Sequence, residues 1–140
     1  MKKVAVVYWS GTGNTQMMAE AVAAGAKEKG AEVALLTPDK FTPADVASYD
    51  AFAFGCPAMG AEVLEESEFQ PMWDSVVPKL SGKNAALFGS YGWGDGEWMR
   101  TWEAECRNAG ISLVCDCVVC CGSPDAACDA ECRALGAALA

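Results

Sequence analysis

Short apolar segments typical of β-strands alternate with segments of helical periodicity along the chain. The predicted strands are residues 4–8, 32–36, 51–55, 84–89 and 111–119. The third strand shows no polar alternation, which is typical of a strand that is covered on both faces. This alternation, with short connections, predicts a parallel sheet with helices packed on both of its faces.

Four segments carry the apolar spacing of a buried helix face. The first follows the first strand and has Met18, Ala21, Val22 and Gly25 on one face, and the second covers residues 69–77. The third has Trp98, Met99, Trp102 and Cys106 on one face, and the last has Cys128, Cys132, Leu135 and Leu139. Gly30 and Gly110 are expected to end the first and third helices. Ser123 and Pro124 are expected to cap and to begin the last helix.

The order of these elements indicates a (βα)₅ pattern in a single domain, residues 1–140. We expect an α/β fold with a doubly wound, five-stranded parallel sheet of strand order 2-1-3-4-5, in a three-layer α/β/α arrangement. In such a fold the ligand crevice lies outside the carboxyl ends of strands one and three. The most unusual turns of the sequence follow these strands.

Composition limits the classes of function. The chain has 52% hydrophobic residues and a formal net charge of -9, which argues against disorder and against binding to nucleic acid or anionic membranes. It contains no histidine, the commonest general base and metal ligand, so hydrolase and metalloenzyme functions are disfavoured. The apolar run at residues 4–9 is too short for a signal peptide or a membrane span. We therefore expect a cytoplasmic protein whose chemistry belongs to a bound cofactor.

Three loops at the expected ligand edge are rich in glycine and special side chains. The first, residues 10–15, opens a helix, and its backbone N–H groups together with the Ser10, Thr12 and Thr15 hydroxyls are suited to a phosphate. It has no lysine, which a nucleoside-triphosphate loop needs, whereas neutral donors and the helix dipole suffice for a monophosphate. The alternative is a capped glycine-rich turn without a ligand.

In the other two loops a large side chain stands beside glycine. Met59 precedes a glycine in residues 56–62, and Trp93 lies between two glycines in residues 90–96. An adaptable thioether and a large aromatic group can sandwich a flat ring. The alternative is that both are ordinary core residues, but neither occupies a periodic strand or helix position. The loops therefore favour a ligand that has both a phosphate and a flat ring.

The motifs in these loops resemble those of the short-chain, clostridial-type flavodoxins. They are Tyr-Trp-Ser-Gly-Thr-Gly-Asn-Thr at residues 8–15, Cys-Pro-Ala-Met-Gly at residues 56–60, and Leu-Phe-Gly-Ser-Tyr-Gly-Trp-Gly-Asp-Gly at residues 87–96. The resemblance covers essentially the whole chain, and no long insertion splits the fifth strand. It implies a flavodoxin-like fold, a non-covalently bound flavin mononucleotide (FMN), no catalytic residues and no metal.

The resemblance also implies roles for individual residues. The FMN phosphate would be held by Ser10, Gly11, Thr12, Gly13, Asn14 and Thr15, and the ribityl chain would lie near Pro57 and Ala58. Met59 and Trp93 would flank the isoalloxazine, and Glu62 would accept a hydrogen bond from flavin N3–H. The amides of Gly92 and Gly94 would donate to the pyrimidine carbonyl oxygen, and Ser90 and Tyr91 would complete that loop. The Gly60–Ala61 peptide would flip on reduction, which glycine permits because either orientation is sterically open.

The acidic residues predict a low potential. Fully reduced flavin is an anion, and six carboxylates are expected near it, those of Glu62, Glu65, Glu66, Glu68, Asp95 and Glu97. At ~10 Å and an effective dielectric of ~20, each would cost roughly 1 to 2 kcal/mol before screening by salt. The chain is therefore expected to cycle mainly between semiquinone and hydroquinone, as a one-electron carrier.

The expected partners are redox proteins with basic patches, such as flavodoxin or ferredoxin reductases and low-potential oxidoreductases, with the chain itself a monomer.

One alternative function is that of an FMN-dependent enzyme of the NAD(P)H:quinone reductase type, which needs a substrate pocket over the flavin. Another is a phosphate-binding or signalling domain without redox chemistry. A receiver domain of that class needs an acidic pair after the first strand, where this chain has Trp9 and Ser10.

The eight cysteines are expected to be reduced thiols, because we see no export signal. Cys117 and Cys120 form a C-x-x-C motif, but on a strand they would point to opposite faces. Cys128 and Cys132 fit the buried stripe of the last helix. A zinc or iron–sulfur site is therefore the less favoured alternative.

Overall fold

A parallel β-sheet forms the middle layer of the molecule. The computed structural model describes residues 2–59, 63–92 and 94–140. Its strands are β1 (Lys3–Tyr8), β2 (Glu32–Leu36), β3 (Ala51–Gly55), β4 (Asn84–Tyr91), β5 (Ser112–Leu113) and β6 (Val118–Cys121). The order is β2-β1-β3-β4-β5, with β6 also paired to β4, and every pairing is parallel. The predicted strand order 2-1-3-4-5 is confirmed.

Helices cover both faces of this sheet. They are α1 (Asn14–Glu28), α2 (Phe69–Val76), α3 (Glu97–Asn108) and α4 (Ala126–Leu139). Short 3₁₀ segments occur at Pro38–Lys40, Pro43–Ser48 and Val77–Lys79. In the part of the chain that the structure describes, no helix is long and apolar enough to cross a membrane.

The buried strands alternate between two cores. Val4 and Val6 of β1 belong to the core beneath α1 and α4, whereas Ala5 and Val7 belong to the core beneath α2 and α3. All four side chains are fully buried. This alternation follows from the period of two in a β-strand, and it explains why the strand reads as a continuous apolar run.

The (βα)₅ pattern is wrong between β2 and β3. That connection contains the 3₁₀ segments Pro38–Lys40 and Pro43–Ser48 where a helix of the repeat would stand. The two prolines each lack a backbone N–H, and a proline inside an α-helix also clashes with the carbonyl of the preceding turn. The connection therefore passes over β1 as two short turns, and Phe41 and Val46 of this connection pack in the core beneath α2 and α3.

The predicted fifth strand, residues 111–119, is interrupted. Asn84 and Ala85 of β4 pair with β5, and β4 pairs with β6 from Phe88 onward. Between these two pairings β4 has two residues, 86–87, whereas the segment that joins β5 to β6 has four, 114–117. The two additional residues form a bulge between β5 and β6.

Two predicted helix ends are confirmed, and one predicted helix start is wrong. Gly30 and Gly110 follow α1 and α3 with φ of 91° and 79°, a conformation that glycine adopts without a Cβ penalty. The expected cap of α4 at Ser123 with Pro124 is wrong. Asp125 is the N-cap, and its carboxylate accepts a 2.8 Å hydrogen bond from the N–H of Cys128. A carboxylate at this position satisfies an unpaired N–H group and is also favoured by the helix dipole.

Candidate functional site

A cavity of about 260 Å³ lies at the carboxyl ends of β1, β3 and β4. Three loops meet there because the carboxyl ends of parallel strands share one edge of the sheet. Eleven predicted site residues line it: Ser10, Gly11, Thr12, Asn14, Thr15, Pro57, Ala58, Met59, Ser90, Tyr91 and Gly92. Gly13 and Gly94 belong to the same loops but do not line the cavity. The structure thus brings together residues that lie up to 82 positions apart, from Ser10 to Gly92.

Four predicted contacts, those of Gly60, Ala61, Glu62 and Trp93, lie outside the described residues. The peptide flip, the N3–H acceptor and one of the two ring-flanking side chains were predicted at these positions. They stay predictions. The described residues on either side, Met59 and Val63, form an antiparallel bridge with reciprocal N–H···O bonds of 2.9 and 3.0 Å.

The first loop is held by its own serine. The Ser10 hydroxyl oxygen accepts hydrogen bonds from the N–H groups of Gly13 (3.1 Å) and Gln16 (3.3 Å). Gly13 is the N-cap of α1 and has a φ of 98°, which disfavours any residue with a Cβ. The helix therefore begins directly at the cavity, where its first N–H groups lack intrahelical acceptors.

The floor of the cavity joins the first loop to β4. The hydroxyls of Thr15 and Ser90 are 2.8 Å apart, and both residues are buried, with 1% and 5% of their surface exposed. Next to them, the Ala58 N–H donates to the Ser90 carbonyl at 3.0 Å. These bonds connect all three loops, so a displacement of one is transmitted to the others.

Two residues outside the predicted site also line the cavity, Trp9 and Gly122. The Trp9 indole N–H donates to the Glu68 carboxylate at 2.6 Å, and the Gly122 N–H donates to the Tyr91 carbonyl at 2.8 Å. Trp9 is the last residue before the phosphate-type loop, and Gly122 directly follows β6. Their position at strand ends was the signal that would have identified them.

The second loop is anchored by β3 and α3. The Trp98 indole N–H donates to the Cys56 carbonyl at 3.1 Å, and the Glu65 N–H donates to the Cys56 sulfur at 3.4 Å. Burial raises the pKa of the Cys56 thiol to about 12. Cys56 therefore stays a neutral thiol and acts here as a buried anchor.

Glu65, one of the acidic residues expected near a flavin ring, also has a structural role that the sequence did not predict. It is buried and accepts hydrogen bonds from the N–H groups of Ser67 (2.9 Å), Glu68 (2.7 Å) and Phe69 (2.8 Å). It also accepts one from the Ser67 hydroxyl. Burial acts to raise the pKa of Glu65, but these hydrogen bonds outweigh burial and lower it. Glu65 thus stabilises the N-terminus of α2, because its carboxylate accepts hydrogen bonds from N–H groups at the start of that helix.

The other described carboxylates of that acidic set are exposed. Glu66, Glu68, Asp95 and Glu97 lie at the surface. Asp95 forms an ion pair with Arg100 at 3.1 Å, and Glu68 accepts the bond from Trp9 described above. Glu68 is thus linked directly to a residue that lines the cavity, Trp9.

The expectation of eight reduced thiols is wrong for one pair. Cys120 and Cys128 form a disulfide, with Cα atoms 6.3 Å apart, within the usual range for this bond. The other six cysteines are free. The bulge between β5 and β6 and the start of α4 bring the pair together, and neither feature is visible in the spacing of the cysteines. Cys117 and Cys120 do lie on opposite faces, in the α2/α3 and the α1/α4 core respectively.

The chemistry of the cavity fits FMN. Hydroxyl groups and a helix N-terminus lie in one loop, and neutral donors of this kind suit a monophosphate. Trp9, Ala58, Met59 and Tyr91 line the cavity with apolar surface that suits a flat ring. None of the described lining residues is basic, which is unlike a nucleoside-triphosphate site.

Comparison with known proteins agrees with this geometry. The family model described as Flavodoxin matches residues 6–136. The chain is 45% identical over 137 residues to the flavodoxin of Megasphaera elsdenii, and the match covers 98% of each chain. It is 44% identical over 135 residues to the flavodoxin of Clostridium beijerinckii, and this match covers 96% of this chain and 97% of the other. The solution structure of two-electron reduced Megasphaera elsdenii flavodoxin superposes with a TM-score of 0.90 at 44% identity over 97% of both chains. A match over nearly the full length, in sequence and in fold, shows that this chain belongs to the flavodoxin family.

Proposed function

We propose that this chain carries electrons one at a time and at low potential between other redox proteins, with FMN held at the carboxyl ends of β1, β3 and β4. As a flavodoxin it binds FMN and is an electron carrier without a substrate of its own. The observation that supports the proposed site is the convergence of eleven predicted contacts on one cavity. The quinone-reductase alternative is not favoured by this family membership.

The phosphate end of the proposed site is the loop of residues 10–15. The hydroxyls of Thr12 and Thr15 and the first N–H groups of α1 would donate to the phosphate oxygens, with Ser10 holding the turn through its own two hydrogen bonds. The positive end of the helix dipole would offset the phosphate charge without a basic side chain. Pro57 and Ala58 would lie along the ribityl chain.

The ring end of the proposed site includes four residues that lie outside the described part of the chain, Gly60, Ala61, Glu62 and Trp93. Met59 and Trp93 would flank the ring, and the amides of Gly92 and Gly94 would donate to the pyrimidine carbonyl oxygen. Glu62 would accept from the ring N3–H, and the carbonyl of the Gly60–Ala61 peptide would reorient toward N5 on reduction. FMN itself supplies the redox chemistry, since it accepts one or two electrons.

The proposed low potential depends on charge. Glu66, Glu68 and Glu97 are exposed, and Glu62 would lie against the ring. Each carboxylate near ~10 Å disfavours an added negative charge on the ring by roughly 1 to 2 kcal/mol at an effective dielectric of ~20, before screening by salt. This cost falls mainly on the second electron, because the reduced ring then becomes an anion.

The same charge supports a class of partner. With a formal net charge of -9, the chain would be steered toward redox proteins with basic patches, such as flavodoxin or ferredoxin reductases. We propose that it works as a monomer in the cytoplasm and binds neither nucleic acid nor membranes.

A redox titration tests the proposal. The FMN-reconstituted protein is reduced stepwise at controlled potential while its visible spectrum is recorded. Two resolved one-electron steps, with the second below the potential of free FMN, are expected. A single two-electron step would refute the one-electron proposal, and steady-state oxidation of NAD(P)H by the isolated protein would restore the enzyme alternative.

A further inference from the structure

The disulfide between Cys120 and Cys128 joins the last strand to the last helix beside the FMN cavity. Cys120 lies in β6, and Cys128 is the third residue of α4. Both are 6% exposed. The bond closes a separation of eight residues along the chain, so it restrains a short segment, residues 121–127.

This segment forms part of the wall of the FMN cavity. Gly122 lines the cavity and has a φ of 76°, and its N–H donates to the Tyr91 carbonyl at 2.8 Å. The Ser123 hydroxyl donates to the side-chain oxygen of Asn14 at 3.3 Å, in the phosphate loop. The restrained segment thus contacts two of the three loops that are expected to hold FMN.

The disulfide borders a surface cleft. A separate surface cleft of about 270 Å³ is lined by Cys120 and Cys128 together with Cys121, Asp125 and Glu131. This cleft is the side from which an external thiolate would approach the bond. Cys128 lies in the first turn of α4, where the helix dipole stabilises a thiolate, so attack at the Cys120 sulfur has Cys128 as a suitable leaving group.

We propose that Cys120 and Cys128 form a second redox centre, a reversible disulfide whose oxidised form tightens the binding of FMN. An external dithiol transfers two electrons and two protons to the bond, becomes a disulfide itself, and leaves Cys120 and Cys128 as thiols. Reduction frees residues 121–127 to move, and FMN binding must then order them again. The inference rests on the proposed FMN site.

The first measurement is a count of thiols in the denatured apoprotein, alkylated before and after treatment with dithiothreitol. Six reactive cysteines are expected before treatment and eight after it, with peptide mass mapping that assigns the difference to Cys120 and Cys128. Equilibration in dithiothreitol buffers of graded ratio should give one two-electron transition. A count of eight in air-oxidised protein would overturn the proposal.

The second measurement is the Kd of FMN, from quenching of flavin fluorescence by oxidised and by reduced apoprotein. Reduction is expected to raise the Kd about fivefold or more, the equivalent of ordering one additional backbone residue. C128S should bind like the reduced protein under both conditions. C121S, which changes an exposed cysteine next to the pair, should keep the full redox response.

The two proposals fail differently. Equal Kd values for oxidised and reduced wild-type protein would overturn the redox inference and leave the FMN site intact. If neither form binds FMN, the proposed function itself fails. The comparison of the two wild-type forms needs no variant, so it stands even if C128S does not fold.

Discussion

The hydroxyls of Thr15 and Ser90 form a buried 2.8 Å hydrogen bond between residues that are 75 positions apart in the sequence. Thr15 belongs to the first turn of α1 and Ser90 to the end of β4. The bond fixes the distance between the proposed phosphate end and the loop expected at the flavin ring. It also orients the Thr15 hydroxyl beside the cavity.

We predict that Thr15→Val weakens FMN binding by about tenfold. Valine has nearly the shape of threonine but removes the hydroxyl proposed to donate to the FMN phosphate, and a hydrogen bond to a charged group contributes ~1.5 to 3 kcal/mol. The Kd of FMN for the apoprotein is the measurement. Thr101→Val, at an exposed position of α3, is the matched control, and equal Kd values for the two variants would contradict the role assigned to Thr15.

The close contact of α1 and α4 predicts that alanine is poorly tolerated at two glycines. A Cβ at Gly25 would lie 2.0 Å from the Arg133 carbonyl oxygen, and one at Gly136 would lie 1.9 Å from the Val22 carbonyl oxygen. Each substitution should lower the free energy of unfolding by about 1 to 3 kcal/mol through overpacking. Urea denaturation measures this effect.

A suitable control for this prediction is Ala130→Ser, which adds one heavy atom at an exposed position of α4. It should change the free energy of unfolding by no more than ~0.5 kcal/mol. In an open helix, Gly→Ala would stabilise by ~1 kcal/mol. A gain of stability in Gly25→Ala would therefore show that the two helices do not approach as closely as described.

Glu65 should make stability depend on pH. Its pKa in the folded chain is lowered, so its contribution is present above the unfolded pKa of ~4.3 and is lost as the pH falls through the folded pKa. Glu65→Gln should lower the free energy of unfolding at pH 7 by about 1 to 3 kcal/mol, because charge-assisted hydrogen bonds are lost.

The measurement for Glu65 is urea denaturation at a series of pH values from 7 down to 3. The difference between wild type and Glu65→Gln should shrink as the pH falls below ~4.3. Glu66→Gln, next in sequence and exposed, should show little difference at any pH. A Glu65→Gln penalty that stays constant down to pH 3 would count against the carboxylate as the origin of the effect.

Electron transfer to a basic partner should slow as salt is added. The net charge of -9 accelerates association with a basic protein at low ionic strength, and screening removes this effect as the Debye length falls from ~30 Å at 0.01 M to ~8 Å at 0.15 M. Stopped-flow rates with a basic redox protein should fall severalfold over this range. Rates with a neutral small-molecule acceptor, measured in parallel, should not change, and a salt-independent rate with the basic protein would contradict the steering proposal.

Much of the site could be predicted because its residues are concentrated in three short loops. Residues 10–15 already indicate a phosphate site through two glycines and three hydroxyl side chains before a helix. Parallel topology then requires the loops after β1, β3 and β4 to share one edge of the sheet. Trp9 and Gly122 were not among the predicted contacts, and their place at the ends of β1 and β6 is what brings them to the cavity.

The functions of Glu65 and Asp125 were not predictable in the same way. In the sequence Glu65 is one of several neighbouring acidic residues, and only the turn before α2 shows that its carboxylate accepts three backbone N–H groups. Asp125 replaces the expected cap at Ser123 because α4 begins at Ala126. The start of a helix depends on how its buried face meets the sheet, which local residue preferences do not define.

By itself the sequence determined the class of fold, the order of the strands and the family of the protein, because these follow from the period of the apolar residues and from motifs within single loops. Only the tertiary structure decided the break between β5 and β6, the close contact of Gly25 and Gly136 with the opposite helix, and the pairing of Cys120 with Cys128. Each of these depends on the register between segments that are distant in the chain. Such a register is set by the packing of whole side chains in the cores, and no short stretch of sequence contains it.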